Sequence, residues 1–168
     1  RPSEVRLMKW SDVDIQTKVW TIKKSGVKGD DGRKSKKEWL IPLTSAAIKI
    51  LKAQPSFAQQ RGLVFTTNGK KEIPDAYLSS INAVLGFDGV AHGFRTTFKI
   101  WCQVHGVNDE VSELSLKHTN TDATRAAYAR SQLFDARKKL LTFYSKYATT
   151  GQSIPTASVI PMPKRASQ

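Results

Sequence analysis

The chain has 168 residues, enough for one ordinary domain with a hydrophobic core but not for two comfortable ones. Its composition, 39% hydrophobic and 24% charged, is typical of a globular protein and excludes a fully disordered or collagen-like chain. Lysine and arginine number 27 against 14 aspartate and glutamate, a formal net charge of +13. This excess favours a polyanionic partner, with nucleic acid modestly ahead of a membrane surface, although basic charge also serves solubility alone.

The apolar runs and the cysteine content exclude further classes of protein and of site. No apolar run is long enough to predict a membrane-spanning helix. The single cysteine, Cys102, can form neither an internal disulfide nor a four-thiolate zinc site. We therefore expect a protein of a reducing compartment without a membrane partner.

The first predicted element is a helical turn at residues 1–4, where Pro2 occupies a position at which a missing N–H costs little. Because the chain starts inside this turn and without an initiator methionine, we expect it to be a fragment. Residues 10–14 then predict the exit from the helix and a turn.

Three β-strands are predicted next, at residues 18–22, 38–43 and 62–65. The first two are rich in β-branched and aromatic side chains. Residues 23–37 between them are rich in Gly, Asp and Lys and predict a long, exposed hairpin loop. The three strands are expected to form a small antiparallel sheet at one edge of the domain.

The remainder is predicted to be helical, because apolar residues recur there at helical spacing between capping residues and glycine or proline stops. The expected helices cover residues 44–51, 75–85, 92–104, 108–116, 121–129 and 132–147. Residues 149–168, rich in Ser, Thr and Pro, predict a flexible tail. The expected fold class is α+β and mainly α-helical, with one domain over residues 1–148 that carries the three-stranded edge sheet.

One pair of polar residues attracts attention within the predicted helices. His92 and Arg95 lie three residues apart, so one helical turn brings them to the same face. An imidazole and a guanidinium in that arrangement can hold a phosphate between a proton acceptor and a bidentate cation. The spacing alone is far commoner on solvated helices than in sites, so the pair by itself predicts little.

Five short motifs, taken together and in order, are more specific. They are Arg-Pro-Ser-Glu at residues 1–4, a lysine-rich β-turn before Leu-Ile-Pro-Leu at 40–43, His-Gly-Phe-Arg at 92–95, Leu-Lys-His at 116–118 and Arg-Ala-Ala-Tyr at 125–128. In this order the chain resembles the catalytic domain of the tyrosine recombinases, in particular the prophage integrases. The resemblance runs from residue 1 to about residue 147 and implies the helical bundle of that family.

The resemblance implies that Tyr128 attacks one DNA strand, forms a 3′-phosphotyrosyl bond and frees a 5′-hydroxyl, with no metal, ATP or other cofactor. Arg1 and Arg95 are the implied clamp on the phosphate oxygens, His92 the implied proton acceptor and His118 an implied donor to a phosphate oxygen. These residue types suit the chemistry, because preorganised cations stabilise the charge that develops on an attacked phosphodiester. A free phenol titrates near pH 10 and needs an acceptor or a positive field to act as a nucleophile.

The proton donor to the leaving 5′-oxygen is implied to be a lysine of the hairpin loop. The family's usual spacing to Ile41 indicates Lys34, while the long loop leaves Lys28 and Lys36 open. Glu4, one turn along from Arg1, is the implied support that orients this arginine.

The resemblance also implies partners and context. These are double-stranded DNA at attachment sites, a homo-oligomer assembled on DNA, and the bacterial cytoplasm, for a bacterial or phage-encoded protein. The amino-terminal DNA-binding domains that the family carries are expected to be missing from this chain.

Each residue also has an ordinary structural role open to it. Arg1 and Lys34 can be solvated surface charges, His92 can cap its helix, and Arg95 can pair with Glu4 or Asp88. His118 can interact with a helix C-terminus, and Tyr128 can be a half-buried core residue.

Three other functions stay open. One is a catalytically inactive DNA-binding module of the same fold, and another is a strand-relaxing enzyme of the type IB topoisomerase kind. The third, a hydrolytic nuclease, is disfavoured because such enzymes use carboxylates around a metal and the sequence shows no acidic cluster near His92 or His118.

Overall fold

The structure is a computed structural model that describes residues 1–23, 38–67, 69–118 and 133–152, with the side chains of Leu78 and Ser79 excepted. The chain divides into two compact units, Arg1–Gly93 and Phe94–Gln168, where the sequence predicts one domain. The predicted helix at residues 121–129, nearly all of the predicted hairpin loop and most of the predicted tail lie outside the described residues.

The first unit combines short helices and strands. Its elements are α1 (Pro2–Arg6), β1 (Val13–Asp14), β2 (Val19–Ile22), β3 (Trp39–Pro42), α2 (Ser45–Lys52), β4 (Thr66–Thr67), β5 (Lys71–Glu72) and α3 (Asp75–Val84). In α2 the side chain of Thr44 accepts a hydrogen bond from the backbone N–H of Ala47 at 3.2 Å, which confirms the predicted cap. At α3 the prediction was wrong by one position, because Asp75 is the first helical residue and Pro74 precedes it.

The antiparallel sheet has the order β1-β2-β3. In the pairing of β2 with β3, Val19 lies opposite Pro42. A three-stranded sheet was predicted, but residues 62–65 were the wrong third strand. Val13–Asp14 takes that place, because the Asp14 carboxylate accepts the backbone N–H groups of Gln16 and Thr17 and so closes a tight turn into β2.

Residues 62–64 pair with a different part of the chain. The backbone N–H of Trp10 donates to the carbonyl of Gly62 at 3.0 Å, and that of Val64 donates to the carbonyl of Met8 at 2.8 Å. Gly62 has a φ of +67°, which interrupts extended backbone. The apolar side chains there therefore join the core without entering the sheet.

The core of the first unit forms between the sheet, α2 and the segment after α1. Its buried members are Met8, Trp10, Trp20, Leu43, Ile48, Leu51 and Val64. The indole N–H of Trp10 donates to the Ser56 hydroxyl, which in turn donates to the carbonyl of Val64. The buried Trp10 side chain thus has its polar atom satisfied.

The second unit is helical in its described part. Its helices are α4 (Gly93–Val104), α5 (Asp109–Ser115) and α6 (Phe134–Thr150). Asn108 caps α5 as predicted, through a hydrogen bond from the backbone N–H of Val111. Helix α6 extends two residues into the predicted tail before Gly151, whose φ is +68°.

Aromatic and aliphatic packing joins the three helices of the second unit. The Tyr144 ring lies edge-on to Phe98 at 4.8 Å and to Trp101 at 5.2 Å, centroid to centroid, so α6 packs on α4. Leu140 of α6 is fully buried, as is Val111 of α5. These contacts hold α4 and α5 in fixed positions, which matters because both carry predicted site residues.

Two further properties concern the cysteine and the length of the helices. Burial raises the pKa of the Cys102 thiol to about 12, against the opposing charge of Lys99, so this cysteine stays protonated and unreactive at neutral pH. Within the described ranges, the helices are too short or too polar to cross a bilayer.

Candidate functional site

The predicted site residues are distributed over both units. Arg1 is exposed at the start of α1, and the Glu4 carboxylate accepts a hydrogen bond from the backbone nitrogen of Arg1 at 3.1 Å. His92 is exposed. It was predicted to be the first residue of its helix, but α4 begins one residue later, at Gly93. Tyr128, Lys34 and the alternatives Lys28 and Lys36 lie outside the described residues.

The structure brings Arg95 and His118 together. Arg95 is half-buried on α4, and its Nη2 atom donates to the carbonyl oxygen of Leu116 at 2.6 Å. The same nitrogen lies 2.8 Å from Nε2 of His118. One guanidinium thus binds both the backbone that follows α5 and the imidazole carried by that backbone.

The end of α5 fixes the position of His118. The backbone N–H of Lys117 donates to the carbonyl of Leu114, and that of His118 donates to the carbonyl of Glu113 at 2.9 Å. These two hydrogen bonds at the end of a helix require a residue in the left-handed conformation just after its last turn. Lys117 is that residue, with a φ of +59°. His118 therefore leaves the helix in a defined direction instead of lying on a mobile loop.

Glu113 and Lys99 extend this cluster, and the sequence analysis missed both. The Glu113 carboxylate contacts Nδ1 of His118 at 2.7 Å with one oxygen and Nζ of Lys99 at 2.5 Å with the other. Lys99 also contacts the Asp109 carboxylate at 2.6 Å and donates to the Ser112 hydroxyl at 2.9 Å. A signal existed, since Lys99 follows Arg95 by four residues and so lies on the same face of α4.

The charges in this cluster alter its titration. Burial opposes ionisation of Glu113, but the hydrogen bonds from Lys99 and His118, with their charges, outweigh it and hold the pKa of this carboxyl below its ordinary value. Burial likewise opposes the charge on Lys99, and contacts with Asp109 and Glu113 overcome it and raise the pKa of this amine. At neutral pH the Glu113 carboxylate and the Lys99 amine are therefore both ionised.

Two acidic side chains nevertheless lie in the cluster around His118, which the sequence did not predict. Glu113 touches the imidazole directly, and Asp109 lies on the same lysine. Both follow from α5, where a spacing of four residues brings 109 and 113 to one face. Across the described part of the chain, no three His, Cys, Asp or Glu side chains form a group suited to hold a metal ion.

Arg6 fixes the helix that carries Arg1 and Glu4. Its guanidinium pairs with the Glu72 carboxylate, donates to the carbonyl of Ile73 at 3.2 Å and lies 3.6 Å from Asp75. These contacts tie α1 to the start of α3. Nothing in the local sequence around Arg6 points to partners more than sixty residues away, so no role was predicted for it.

Comparison with known proteins decides the family. The sequence profile of the phage integrase family matches residues 1–133. The chain belongs to the phage integrase family. This confirms the predicted membership of the tyrosine recombinases, and the described mainly helical structure with a three-stranded antiparallel sheet confirms the expected fold class.

Individual relatives support the same assignment. The integrase of Shigella phage Sf6 is 27% identical over 153 residues, which covers 88% of this chain and 38% of the relative. Prophage integrase IntS of Escherichia coli K12 is 26% identical over 153 residues, with the same two coverages. This phage integrase family chain thus spans about two fifths of the length of these curated relatives.

A solved structure shares the fold. The integrase of mycobacterium phage Brujita superposes with a TM-score of 0.58 at 18% sequence identity, over 84% of this chain and 46% of that one. The likeness concerns the fold alone. Within it, this phage integrase family chain places the Arg95 guanidinium against the His118 imidazole.

Proposed function

We propose that this chain is the catalytic part of a site-specific recombinase that cuts and rejoins DNA through a 3′-phosphotyrosyl intermediate on Tyr128. The observation that carries the proposal is the convergence of Arg95 and His118 at one point. These residues belong to two separate motifs of the sequence, and a phosphodiester is the substrate that a guanidinium and an imidazole together suit.

The proposed step is an in-line transfer at phosphorus. The Tyr128 oxygen forms a bond to phosphorus as the bond to the 5′-oxygen breaks, His92 takes the phenol proton, and Lys34 gives a proton to the leaving oxygen. Arg1 and Arg95 bind the non-bridging oxygens, and His118 donates to one of them. Charge that accumulates on these oxygens is stabilised by donors held in place beforehand, which is the largest contribution that such sites usually make.

Because the phosphotyrosyl bond replaces the phosphodiester bond it came from, the strand is rejoined by reversal of the same step. We therefore propose that the reaction uses neither a metal ion nor ATP. The net charge of +13 suits double-stranded DNA, whose phosphates release counterions when basic side chains bind them. The proposed context is integration and excision of a prophage or genomic island in the bacterial cytoplasm, by a homo-oligomer that assembles on the attachment site.

The deciding experiment traps the intermediate. A nicked suicide duplex loses a short fragment after cleavage, so the covalent adduct accumulates and its peptide is identified by mass spectrometry. Wild type is expected to give an adduct on Tyr128, and Tyr128→Phe none while retaining duplex affinity. Tyr77→Phe, at an exposed tyrosine of α3, is the matched control and is expected to form the adduct as wild type does.

Three outcomes contradict the proposal. An adduct on another residue overturns the assignment of Tyr128, and duplex binding without any adduct indicates an inactive binding module. Cleavage that stops in chelator indicates a metal-dependent nuclease. A strand-relaxing enzyme is recognised separately, because it acts on supercoiled DNA of any sequence and does not require an attachment site.

The assembly on DNA has its own measurement. Sedimentation of the chain with and without a duplex that carries the attachment site is expected to show protein–protein association only with the duplex. If the complex with the duplex contains a single protein chain for each attachment site, a homo-oligomer formed on DNA is contradicted.

A further inference from the structure

We propose that Glu113 is the positioning residue for His118 and that Lys99 holds Glu113 in its place, an inference that rests on the proposed function. Neither residue belongs to the motifs that carry the family resemblance. Both are assigned from contacts in the second unit alone.

Polar contacts, and not packing, determine where the His118 ring points. The side chain is 48% exposed, so little apolar surface restrains it. Its two ring nitrogens have different partners, Glu113 at Nδ1 and Arg95 at Nε2. An exposed imidazole with a partner on each nitrogen has one preferred orientation, whereas an imidazole with only one such partner can turn about that contact.

The partners also determine where the ring carries its proton. A guanidinium has only N–H donors, so Arg95 donates and Nε2 of His118 accepts. Nδ1 must then carry the hydrogen, which it donates to the Glu113 carboxylate. The neutral Nδ1–H tautomer of His118 follows from the chemistry of its neighbours.

This arrangement changes in a defined way when a phosphate enters. Arg95 turns its N–H groups to the phosphate oxygens, and Nε2 of His118 takes a proton from solvent so that it can donate as well. The hydrogen bond from Nδ1 to Glu113 is the same before and after this change. Glu113 thus keeps Nε2 aimed at one point in both states, as a carboxylate behind a histidine does in other sites.

Lys99 restrains Glu113 from the other side. Its ammonium binds the second carboxylate oxygen at 2.5 Å, and its contacts with Asp109 and with the buried hydroxyl of Ser112 limit where it can move. A carboxylate bound at both oxygens by different groups cannot rotate freely. The depressed pKa of Glu113 agrees with this, because it keeps the carboxylate ionised at neutral pH.

The first test reads the imidazole directly by ¹⁵N NMR. The chain contains three histidines, and the spectrum of His118→Gln assigns the signals of His118. The wild-type chain is expected to show the Nδ1–H tautomer. In Glu113→Ala the contact with Arg95 still favours the Nδ1–H tautomer, but Nδ1 loses its acceptor and the ring can turn, so the Nδ1 signal should shift from its wild-type position. Glu113→Gln, whose amide oxygen still accepts, should lie closer to wild type. Glu110→Ala, the same change on the same helix, should leave the signals unchanged.

The second test measures adduct formation on the nicked duplex in a single turnover. Glu113→Ala is expected to slow it roughly 10- to 100-fold, the usual effect of removing the partner behind a functional histidine. Glu113→Gln should restore most of the rate, Lys99→Met should lie between, and Glu110→Ala should match wild type.

The two tests together separate positioning from mere structure. If Glu113→Ala slows cleavage but leaves the imidazole signals unchanged, Glu113 acts as an ion pair between helices and the positioning role is wrong. An Nε2–H tautomer in the wild-type chain also overturns it. If the wild-type chain forms no adduct while the NMR results are as expected, the proposed function fails and the contact between Glu113 and His118 still stands.

Discussion

Nη2 of Arg95 lies 2.8 Å from Nε2 of His118, although 23 residues separate them along the chain. The contact joins a residue in the first turn of α4 to the residue that follows the closing turn of α5. Both groups lie at this point before any substrate arrives, so the guanidinium has only to exchange its partners when a phosphate binds. Such preorganisation reduces the reorganisation that a reaction must otherwise undergo.

Whether the guanidinium shape of Arg95 matters, and not only its charge, can be tested with a substitution that keeps the charge. Arg95→Lys has a single ammonium that cannot span two partners in the geometry of a guanidinium. We expect adduct formation to fall by about 10²- to 10³-fold, comparable to loss of one donor to a developing anion. Duplex affinity, measured in parallel, should fall only slightly. Arg61→Lys, at an exposed arginine, is the control, and an equal loss in both variants would contradict the role of Arg95.

Acid should reveal the ion pair of Glu113. Its folded pKa lies below the ordinary value of 4.5, so the stabilisation is complete above that pH and is lost as the pH falls through the lower folded pKa. Glu113→Gln lacks this contribution and should lose less stability than wild type between neutral pH and about pH 3. Urea unfolding at a series of pH values measures the difference. If the unfolding free energies of the two chains fall in parallel with pH, the ionised form of Glu113 is not stabilised by its partners.

The left-handed residue at the end of α5 offers a stabilising change. Lys117 has a φ of +59°, a conformation that costs a residue with a side chain roughly 1–2 kcal/mol and glycine almost nothing. Lys117→Gly is expected to exceed Lys117→Ala in unfolding free energy by about 1 kcal/mol. The alanine variant controls for loss of the lysine side chain. If the two variants unfold at the same urea concentration, the closing turn is not under strain.

The core of the second unit depends on Leu140. Its side chain on α6 is 0% exposed, so Leu140→Ala leaves a cavity and should cost about 2–5 kcal/mol of unfolding free energy. Leu141→Ala, one residue further along the same helix and only half-buried, should cost clearly less. Chemical unfolding followed by circular dichroism measures both. Equal losses would contradict the packing of α6 described above.

Local signals in the sequence predicted the helices and the family. Thr44 and Asn108 stand before apolar residues at helical spacing, and both cap their helices as expected. Such signals work because a cap acts within about one turn, and the residues concerned are adjacent in the chain. The five motifs likewise led to the phage integrase family, since their order is a property of the sequence and needs no coordinates.

Contacts between distant residues were beyond such reasoning. The strand pattern at residues 62–65 does not indicate which part of the chain this segment pairs with. In the structure the segment pairs with residues 8–10 and not with the sheet. The predicted pair of His92 and Arg95 was chosen for its spacing, whereas the structure brings Arg95 to His118. The sequence did not predict any role for Glu113 or Lys99.

The physical reason is the range over which each interaction acts. Backbone propensity, capping and helical periodicity depend on neighbours a few residues away, so the order of residues suffices to predict them. Hydrogen bonds and ion pairs between α4 and α5 form only when the packing of both helices has fixed their faces. Which cation meets which carboxylate or ring is therefore a property of the folded chain.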